Sequence, residues 1–479
     1  TTLDPYGRSH IVELFDSFKN LVKKDRFKRD FKGQVLTHTV DYQTTTGMES
    51  YQNAFKYDSS GKLTQKIKNS HTNNPQIFSY KYDSIGRLIS LEKPDRVILT
   101  YTYNSHGDIA YQKSSDDTID YAYTYDEDRR LVSVFNRLSQ SNTDLKYSRD
   151  GLLVEERLEN GQSIEMGYNS TAELTSCSSL VFGKVEYIYG SFGVESVCYE
   201  YQNQYYPFQL TKTEGKGLLK KIIYPENLPT TSYDYNLGAR SFRKIHFGGY
   251  DYLAKFNSMG SVTKRLLKDF LGKTQVRYKY DSLDRLEKGS DEKEERTYNG
   301  LGILSYLGDK AILTDSRLKI KRVGSTLFQY DPQGNRSLKK DSDNETRYTF
   351  DALDRLTKIQ TRSHTITLQY DFKNRLISKK IVKEGIEEQV DYLYLGDVEI
   401  GSIATKTNEL VDFRVVFQDP NRRSTHTLFA MVKNRPFYVV TDIFKNITSL
   451  IDPAEDGPSA HVRFDAFGNQ TASVGDPGL

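Results

Sequence analysis

The stretch YKYDSIGRLISLEKPD, residues 80–95, contains the pattern that decides the fold of this chain. Tyr80 and Tyr82 lie two residues apart, so their rings share one face of a β-strand. Asp83 and Gly86 occupy the first and fourth positions of a type I turn. The run LISLE that follows is rich in residues that favour strands. The stretch therefore predicts a β-hairpin made of an aromatic strand, a tight turn and a returning strand.

The same pattern recurs along most of the chain. An aromatic residue stands at fifteen anchor positions, which are Tyr57, Tyr82, Tyr103, Tyr125, Tyr147, Tyr168, Tyr189, Tyr235, Phe256, Tyr280, Tyr298, Tyr330, Phe350, Tyr370 and Phe464. From Tyr57 to Tyr189 successive anchors are 21 to 25 residues apart. A period this regular predicts tandem hairpins of about 21 residues each. Because a single hairpin is only marginally stable in water, we expect neighbouring hairpins to pair edge to edge.

Each copy is defined by its aromatic anchor and by the turn residues that follow it. We take the repeat-defining residues to be Tyr57, Asp58, Gly61, Tyr82, Asp83, Gly86, Arg87, Tyr103, Gly107, Tyr125, Asp126, Tyr280, Asp281, Arg285, Tyr330, Asp331, Gly334, Phe350, Asp351, Arg355, Tyr370 and Asp371. Where DSLD and DALD replace the turn glycine with Asp, that Asp still tolerates the left-handed conformation. We expect the tyrosine rings to form columns with their hydroxyls in water. The recurrent arginines either lie over a ring or are solvated, and the sequence favours neither.

The composition narrows the class of protein. Charged residues make up 27% of the 479 residues and nearly cancel to +3, which argues against a basic nucleic-acid-binding surface. No run of about 18 apolar residues occurs, so no membrane span is predicted. The 37% hydrophobic content with 35 tyrosines favours sheet that meets water on both faces. The opening TTLDPYGRSH lacks an initiator Met and a signal core, and we interpret the chain as a fragment.

The candidate reactive groups are few. Cys177 and Cys198 each follow an anchor, Tyr168 and Tyr189, by nine residues and therefore have the same phase in successive repeats. Such residues lie about 9–10 Å apart, beyond the roughly 7 Å that a disulfide allows, so two free thiols are predicted. The histidines and carboxylates form no zinc motif and no evident catalytic pair. We therefore predict no metal, no cofactor and no catalytic residue.

Residues 199–230 interrupt the rhythm of the repeat. Their tyrosines Tyr199, Tyr201, Tyr205 and Tyr206 either form an aromatic platform for sugar rings or pack within a strand that is followed by a loop. The packed strand is the favoured interpretation. A β-propeller is the rival fold, because a blade of about 40–45 residues holds two repeats. Odd and even copies do not alternate in sequence, which disfavours the propeller.

The phrases YDSIGRL, YDSLDRL and FDALDRL resemble the YD repeats of the RHS-repeat and teneurin family. The resemblance covers about residues 40–400. In that family the hairpins wind into a spiral that closes as a hollow β-shell. The resemblance therefore implies an all-β fold of tandem β-hairpin (YD) repeats that form the barrel-like wall of a spiral, hollow shell. We assign residues 1–400 to this shell, with an irregular insert at about 199–230.

The end of the chain, residues 439–470, is similar to the opening of the RHS-associated core segment. The residues that carry this similarity are Thr441, Asp442, Asp452, Phe464, Asp465, Phe467 and Gly468. The resemblance implies that residues 401–479 are the truncated beginning of that core. Bacterial members of the family enclose a C-terminal toxin, which an aspartyl-protease-like self-cleavage releases. The cleavage motif has no counterpart in this chain, so no catalytic residue is carried over and no enzyme is expected.

Two functions follow from the resemblance. The first is a structural container whose partners are the enclosed C-terminal toxin or effector domain and the rest of the core. The second is a cell-surface adhesion or carbohydrate-binding module, whose partners are surface glycans; secretion machinery is a further expected partner. Both imply a secreted or cell-surface protein. An enzyme hidden in the irregular insert is a third and weaker hypothesis.

Overall fold

A computed structural model describes residues 1–213, 217–225, 228–236, 241–419, 424–452, 454–455 and 457–476. Within these ranges the regular secondary structure consists of β-strands, which form two sheets of 26 and 18 strands. None of the described residues belongs to a helix long and apolar enough to cross a membrane. The prediction of an all-β fold built from tandem hairpins is confirmed.

The first sheet comprises β1 (Thr2–Leu3), β2 (Ser9–Phe15), β3 (Leu21–Arg29), β4 (Val35–Thr44), β5 (Gly47–Tyr57), β6 (Leu63–Lys68), β7 (Gln76–Tyr82), β8 (Leu88–Glu92), β9 (Ile98–Tyr103), β10 (Ile109–Ser114), β11 (Asp120–Tyr125), β12 (Leu131–Asn136), β13 (Ser141–Tyr147), β14 (Leu153–Arg157), β15 (Ser163–Tyr168), β16 (Leu174–Ser179), β17 (Gly183–Gly190), β18 (Gly193–Tyr201), β19 (Gln204–Lys212), β20 (Leu219–Ile223), β21 (Thr231–Asn236), β22 (Ser241–Phe247), β23 (Tyr250–Phe256), β24 (Val262–Asp269), β25 (Gly272–Tyr280) and β26 (Leu286–Gly289).

The second sheet comprises β27 (Arg296–Tyr298), β28 (Leu304–Leu307), β29 (Lys310–Thr314), β30 (Ile320–Val323), β31 (Thr326–Tyr330), β32 (Arg336–Lys340), β33 (Glu345–Phe350), β34 (Leu356–Gln360), β35 (His364–Tyr370), β36 (Leu376–Lys383), β37 (Ile386–Leu395), β38 (Val398–Ala404), β39 (Glu409–Asp419), β40 (Ser424–Val432), β41 (Arg435–Thr441), β42 (Ile447–Ile451), β43 (Ala460–Phe464) and β44 (Gln470–Gly475).

Within each sheet, every strand pairs antiparallel with the next strand along the chain, as the hairpin repeat requires. The register shifts by one residue at the anchor of each hairpin. In the β7–β8 hairpin, Lys81 lies opposite Ser90, whereas Tyr82 lies opposite Leu88. The β33–β34 hairpin has the same shift at Phe350. In both hairpins the anchor is thus the last paired residue of its strand, directly before the turn.

The two ends of the strands form two different edges. We call the turn within each hairpin, such as the turn after an anchor, a YD turn, and we call the link from one hairpin to the next a connecting loop. From β3 onward the YD turns share one edge of the sheet and the connecting loops share the opposite edge. Adjacent YD turns touch, since Lys32 Nζ donates to the carbonyl of Ser59 and Gln34 Nε2 donates to that of Gly61.

The second sheet follows the first as the next winding of one spiral. Over β3–β15 the connecting loops of the first sheet lie on YD turns of the second sheet, and we call this contact the seam. Farther along, β16–β23 pack with one face on β38–β42. There the rings of Phe182 and Phe413 stack with centroids 4.3 Å apart, and those of Tyr199 and Phe429 are 5.4 Å apart. These aromatic residues are buried and belong to the largest hydrophobic cluster among the described residues.

The predicted irregular insert, residues 199–230, contains regular strands: the end of β18, all of β19 and all of β20. Residues 214–216 and 226–227 of this insert lie outside the described residues, as do 420–423, 453, 456 and 477–479 of the predicted core segment. The proposed boundary between shell and core at residue 400 stays a prediction.

Both cysteines are free thiols, as predicted, but the prediction that they share a phase is wrong. Cys177 lies opposite Val185, whereas Cys198 lies opposite the adjacent residue, Glu186. The reason is a tighter turn. Tyr189 pairs with Val194, five residues later, whereas the preceding anchor pairs six residues later. Each thiol therefore lies on a different face of the sheet, and Cys177 is the buried one.

Candidate functional site at the seam between the two sheets

The turn aspartate organises each YD turn. Asp83 Oδ1 accepts the backbone N–H groups of Ile85 and Arg87, and Asp83 Oδ2 accepts Arg87 Nε at 2.6 Å. The same pair of contacts joins Asp126 to Arg130, Asp281 to Arg285, Asp351 to Arg355, and Asp371 to Arg375. Hydrogen bonds from charged groups are about twice as strong as neutral ones, so the Asp–Arg pair fixes the turn.

The fourth residue of the turn is left-handed whether or not it is glycine. Its φ is close to +90° at Gly61, Gly86, Gly107, Gly334 and Gly468, and close to +60° at Asp284 and Asp354. Other residues adopt this conformation only at a cost in free energy, and Asp does so more readily than most. The residues of the repeat pattern are therefore those that this turn requires.

The anchor tyrosines form a ladder of hydrogen bonds from one hairpin to the one before it. The hydroxyls of Tyr57, Tyr82, Tyr103, Tyr125, Tyr147, Tyr168, Tyr189, Tyr280, Tyr298, Tyr330 and Tyr370 donate to the carbonyls of Val35, Leu63, Leu88, Ile109, Leu131, Leu153, Leu174, Val262, Leu286, Ile320 and Leu356. The expectation that these hydroxyls lie in water is therefore wrong. Pairing of β6 with β7 begins only at Gln65, so the carbonyl of Leu63 lies beyond the ladder of backbone hydrogen bonds and accepts the hydroxyl of Tyr82 instead.

Replacing Tyr147 with phenylalanine removes one rung and is expected to lower the free energy of unfolding by about 0.5–1.5 kcal/mol. The ring still packs, so only the hydrogen bond to the carbonyl of Leu131 is lost. Urea denaturation followed by far-UV circular dichroism measures the change. Tyr205→Phe is the control, since that hydroxyl bonds Glu200 on an exposed surface. Equal effects of the two variants would contradict the ladder.

The recurrent arginines lie over rings, which settles the alternative that the sequence left open. The guanidinium carbon of each lies 4.4 to 5.3 Å from the centre of a tyrosine ring in the following hairpin, which is an anchor in every pair but the last. The pairs are Arg87 with Tyr103, Arg130 with Tyr147, Arg285 with Tyr298, Arg355 with Tyr370, and Arg375 with Tyr394. Each arginine thus joins the turn of one hairpin to a tyrosine ring of the next.

At the seam, polar side chains of the connecting loops bond the backbone of the YD turns. Lys93, which is buried, donates to the carbonyl of Ala352 at 2.8 Å and to Asp354 Oδ1 at 2.7 Å. The hydroxyl of Thr118 accepts the backbone N–H of Ala352 at 2.9 Å. Asn160 Nδ2 donates to the carbonyl of Ile377. These contacts join residues more than two hundred positions apart in sequence.

Glycine is required at a close approach between the backbones of the two sheets. The N–H of Gly300 donates to the carbonyl of Gln43 at 2.7 Å. A Cβ at Gly300 would lie 2.2 Å from the carbonyl oxygen of Val22. Because backbone atoms cannot yield as a side-chain tip does, no other residue fits this position.

A buried charged cluster lies at the middle of the seam. Arg375 donates to Glu156 Oε1 at 2.6 Å and to Glu156 Oε2 at 3.0 Å, while its Nε bonds Asp371. Lys373 Nζ lies 2.9 Å from Glu156. Glu156, Asp371 and Arg375 are all buried. Burial raises the pKa of Glu156, but Arg375 and Lys373 outweigh burial and hold that pKa below its usual value.

A second charged cluster joins the last hairpin to the first sheet. Arg463 donates to both carboxylate oxygens of Asp269, His461 lies 3.2 Å from the same carboxylate, and Arg265 donates to the carbonyl of Phe464. Asp269 and His461 are buried. Burial raises the pKa of Asp269, but the contacts from His461 and Arg463 outweigh burial and hold it well below the usual range.

Replacing Asp269 with asparagine is expected to destabilise the chain at neutral pH and to matter less in acid. A carboxylate whose pKa is lowered by folding stabilises the fold above its unfolded pKa of about 3.9 and loses that contribution as pH falls through its folded value. The difference in thermal midpoint between wild type and D269N should therefore shrink below about pH 4. Differential scanning calorimetry from pH 7 to pH 3 measures it, and a difference that stays constant would contradict this role of Asp269.

The residues similar to the core segment do not form one site. Asp442 is buried in a YD turn, where it bonds Asn446, and burial raises its pKa. Asp452 lies in a connecting loop at the opposite edge, beside Arg435. Phe464, Asp465, Phe467 and Gly468 form the last YD turn, in which Asp465 bonds Asn469. The ring of Phe467 lies under Arg296, the first residue of β27, at 3.5 Å.

The tyrosines of the predicted insert are divided between core and surface. Tyr199 and Tyr206 are buried against Phe429, with ring centroids 5.4 and 4.7 Å from its ring. Tyr205 is 62% exposed. Packed rings therefore replace the aromatic platform that the alternative interpretation requires.

Comparison with known proteins finds a family model that matches part of this chain and solved structures that have a similar fold. Residues 23–236 match the family model described as Teneurin YD-shell. The sequence matches no curated protein. A crystal structure of TcdB2-TccC3-TEV superposes with a TM-score of 0.68 at 12% identity and covers 97% of this chain and 31% of its own. A structure of the Photorhabdus luminescens Tc holotoxin pore has a TM-score of 0.63 at 12% identity and covers 97% and 30%.

This chain thus spans about a third of the length of the solved structures that it matches. At this level of identity the likeness concerns the fold, whereas the family match rests on the sequence of β3–β21. The described strands after β21 continue the same hairpin order and the same YD turns. Residues 23–236 therefore match the family model of the teneurin YD-shell, and the same hairpin fold extends through the rest of the described chain.

Proposed function

We propose that this chain is part of the wall of a hollow shell that encloses a polypeptide, namely a C-terminal toxin or effector domain. The seam is the observation that carries the proposal. A wall built from successive windings retains its contents only if adjacent windings seal against each other. The connecting loops of one winding contact the YD turns of the next through hydrogen bonds from Lys93 and Asn160, and the buried Glu156–Arg375 ion pair joins the same two windings.

The solved relatives support this role, since they include a Tc holotoxin pore and complexes of TcdB2 with TccC3. We further propose that residues 401–479 begin the segment that closes the wall and that the protein is secreted or displayed at a cell surface. Its function in this proposal is structural rather than enzymatic. The adhesion and glycan-binding alternative gains no support from the tyrosines near residue 200, because two of them are buried.

Protease protection of the complete gene product tests the proposal. We expect the polypeptide that follows this chain to resist proteinase K under native conditions, because the protease cannot pass an intact wall. Opening the seam with Arg375→Ala should expose that polypeptide to cleavage at protease concentrations that leave the wild type intact. Arg130→Ala is the matched control, since Arg130 has the same place in its repeat but lies away from the seam.

Two results would contradict the proposal. One is cleavage of the following polypeptide in the wild type at the rate seen for the same polypeptide expressed alone. The other is full protection that Arg375→Ala leaves unchanged although circular dichroism shows that this variant is destabilised. The control variant separates a specific opening of the seam from a general effect of removing an arginine.

A further inference from the structure

One face of β23–β25 is strongly basic, and we call it the basic face. It carries five cations on three neighbouring strands, namely Lys255, Lys264, Lys268, Lys273 and Arg277. Lys255 lies opposite Lys264, Lys264 lies opposite Arg277, and Lys268 lies opposite Lys273. Like charges in directly opposite positions destabilise a sheet. The whole chain has a net charge of only +3, so this concentration of positive charge is a local feature.

The five cations have no carboxylate partner in the part of the chain that the structure describes. Asp251, the one carboxylate on this face of the three strands, already pairs with Lys244 and His246. On the next strand, Glu287 pairs with Lys279. The repulsion among the five cations is thus not relieved within the described chain, and a bound anion would relieve it.

An apolar row separates two rows of cations on this face. Leu253 lies opposite Leu266, two residues along the strands from the Lys255–Lys264 pair, and Lys268 follows two residues farther along β24. Both leucines are partly exposed, and together with Lys268 they help to line a cavity of about 620 Å³. Because a strand rises about 3.3 Å per residue, successive rows are about 6.6 Å apart.

An extended polypeptide has the same spacing, since every second side chain lies on one of its faces. An acidic residue, a large apolar residue two positions later and a second acidic residue two positions after that would match the three rows. None of the described residues that line the cavity is aromatic, whereas sites for single-stranded nucleic acid stack bases on aromatic rings. Asp251 beside the cations would also repel a uniform polyanion. The surface therefore favours an acidic polypeptide.

The opposite face of the same strands is already covered. Tyr252 on that face is buried, Arg265 donates to the carbonyl of Phe464, and Asp269 accepts from Arg463. The basic face therefore points away from β43 and from the predicted core segment. For this reason the occupant that we infer is a separate protein and not the enclosed polypeptide.

We propose that the basic face is a docking surface for an extended acidic segment of a separate protein. The segment has the pattern acidic-x-apolar-x-acidic. One of its carboxylates contacts the Lys255–Lys264 pair, the other contacts the Lys268–Lys273 pair, and its apolar side chain lies over the two leucines. This interaction goes beyond the proposed shell function and requires no enclosed cargo.

Fluorescence anisotropy of labelled peptides, titrated with the complete protein, tests the proposal. The probe is Gly-Glu-Thr-Leu-Thr-Glu-Gly with blocked ends, and Gly-Glu-Glu-Thr-Thr-Leu-Gly is the control peptide of the same composition. We expect the probe to bind more tightly than the control peptide, because only the probe matches all three rows. Raising the salt concentration from about 50 mM to about 500 mM should weaken binding of the probe, since salt screens exposed charges.

Lys255→Glu should raise the dissociation constant of the probe by about fivefold or more, the effect of losing a good exposed ion pair. Lys81→Glu is the matched control and should leave that constant unchanged. Lys81 also directly precedes an anchor tyrosine and is exposed, as Lys255 is before Phe256, but it lies on β7, away from the basic face. Thermal unfolding of both variants checks that they are folded.

Any of four results would overturn the proposal. These are no binding of the probe at millimolar protein, equal binding of the two peptides, and equal effects of Lys255→Glu and Lys81→Glu. The fourth is tighter binding of an oligothymidylate with the same number of charges, or of vesicles of phosphatidylserine and phosphatidylcholine in equal parts, which would identify a nucleic acid or a membrane as the partner. Because the test follows peptide binding, its failure leaves the protease-protection result, and hence the proposed shell, unaffected.

Discussion

Replacing Arg375 with alanine is expected to lower the free energy of unfolding by about 3–5 kcal/mol, the usual cost of breaking a buried ion pair. Two carboxylates each lose a charged partner at once, since Arg375 binds both Glu156 and Asp371, and only Glu156 keeps a second cation, Lys373. All three side chains are buried, so water cannot take over the lost hydrogen bonds. Urea denaturation followed by far-UV circular dichroism measures the loss.

Arg130→Ala is the matched control for this prediction. Arg130 also bonds the aspartate of its own turn and lies over the next anchor ring, but it is more exposed and makes no contact with the second sheet among those described. We expect Arg130→Ala to lower the free energy of unfolding far less than Arg375→Ala does. Equal losses for the two variants would mean that the arginine acts only within its own repeat and that the seam adds no stability.

Replacing Phe413 with alanine is expected to lower the free energy of unfolding by about 3–5 kcal/mol, as for other large aromatic residues truncated in a core. Phe413 is buried between the two sheets, where its ring stacks on Phe182 and lies 5.1 Å from that of Tyr199. The substitution leaves a cavity that strands on both sides cannot fill, because their backbones are fixed by pairing.

Tyr205→Ala is the control for the core prediction, because Tyr205 belongs to the same group of strands but is largely exposed. Its loss should change the urea midpoint little. A small effect of Phe413→Ala, similar to that of Tyr205→Ala, would contradict face-to-face packing of β16–β23 on β38–β42.

The hairpin and its turn could be predicted from the sequence because they depend on neighbours along the chain. Asp83, Gly86 and the aromatic residue before them act within one turn, so a short sequence motif is enough to specify that turn. Repetition of the phrase also gave the stacking order, since each hairpin pairs with the next. The sequence did not distinguish an arginine over the following ring from a solvated one.

The seam could not be predicted in the same way. Glu156 and Arg375 are 219 positions apart, and neither Lys93 nor Asn160 belongs to any motif. Their partners depend on how many hairpins complete one winding, which no single repeat specifies. A charged or amide residue at the connecting loop is the one local signal, and such residues are usually solvated.

The predictions that the cysteines share a phase and that the tyrosine hydroxyls lie in water were wrong for local reasons. A turn one residue shorter moves Cys198 to the other face without changing its distance in sequence from the anchor. The hydroxyls bind carbonyls that the shift of register at the anchor leaves beyond the backbone pairing. Both errors come from treating the hairpins as identical, regular ladders.

A double-mutant cycle on Glu156 and Arg375 tests whether the two windings seal against each other. If the seam exists, the decreases in the free energy of unfolding caused by Glu156→Gln and Arg375→Gln should not be additive. Their interaction energy should be about 0.5–3 kcal/mol. A parallel cycle on Glu156 and Arg285, which contacts Asp281, Asn299 and Tyr298 instead, should be additive. Additive losses for Glu156 and Arg375 as well would contradict the spiral arrangement of the two sheets.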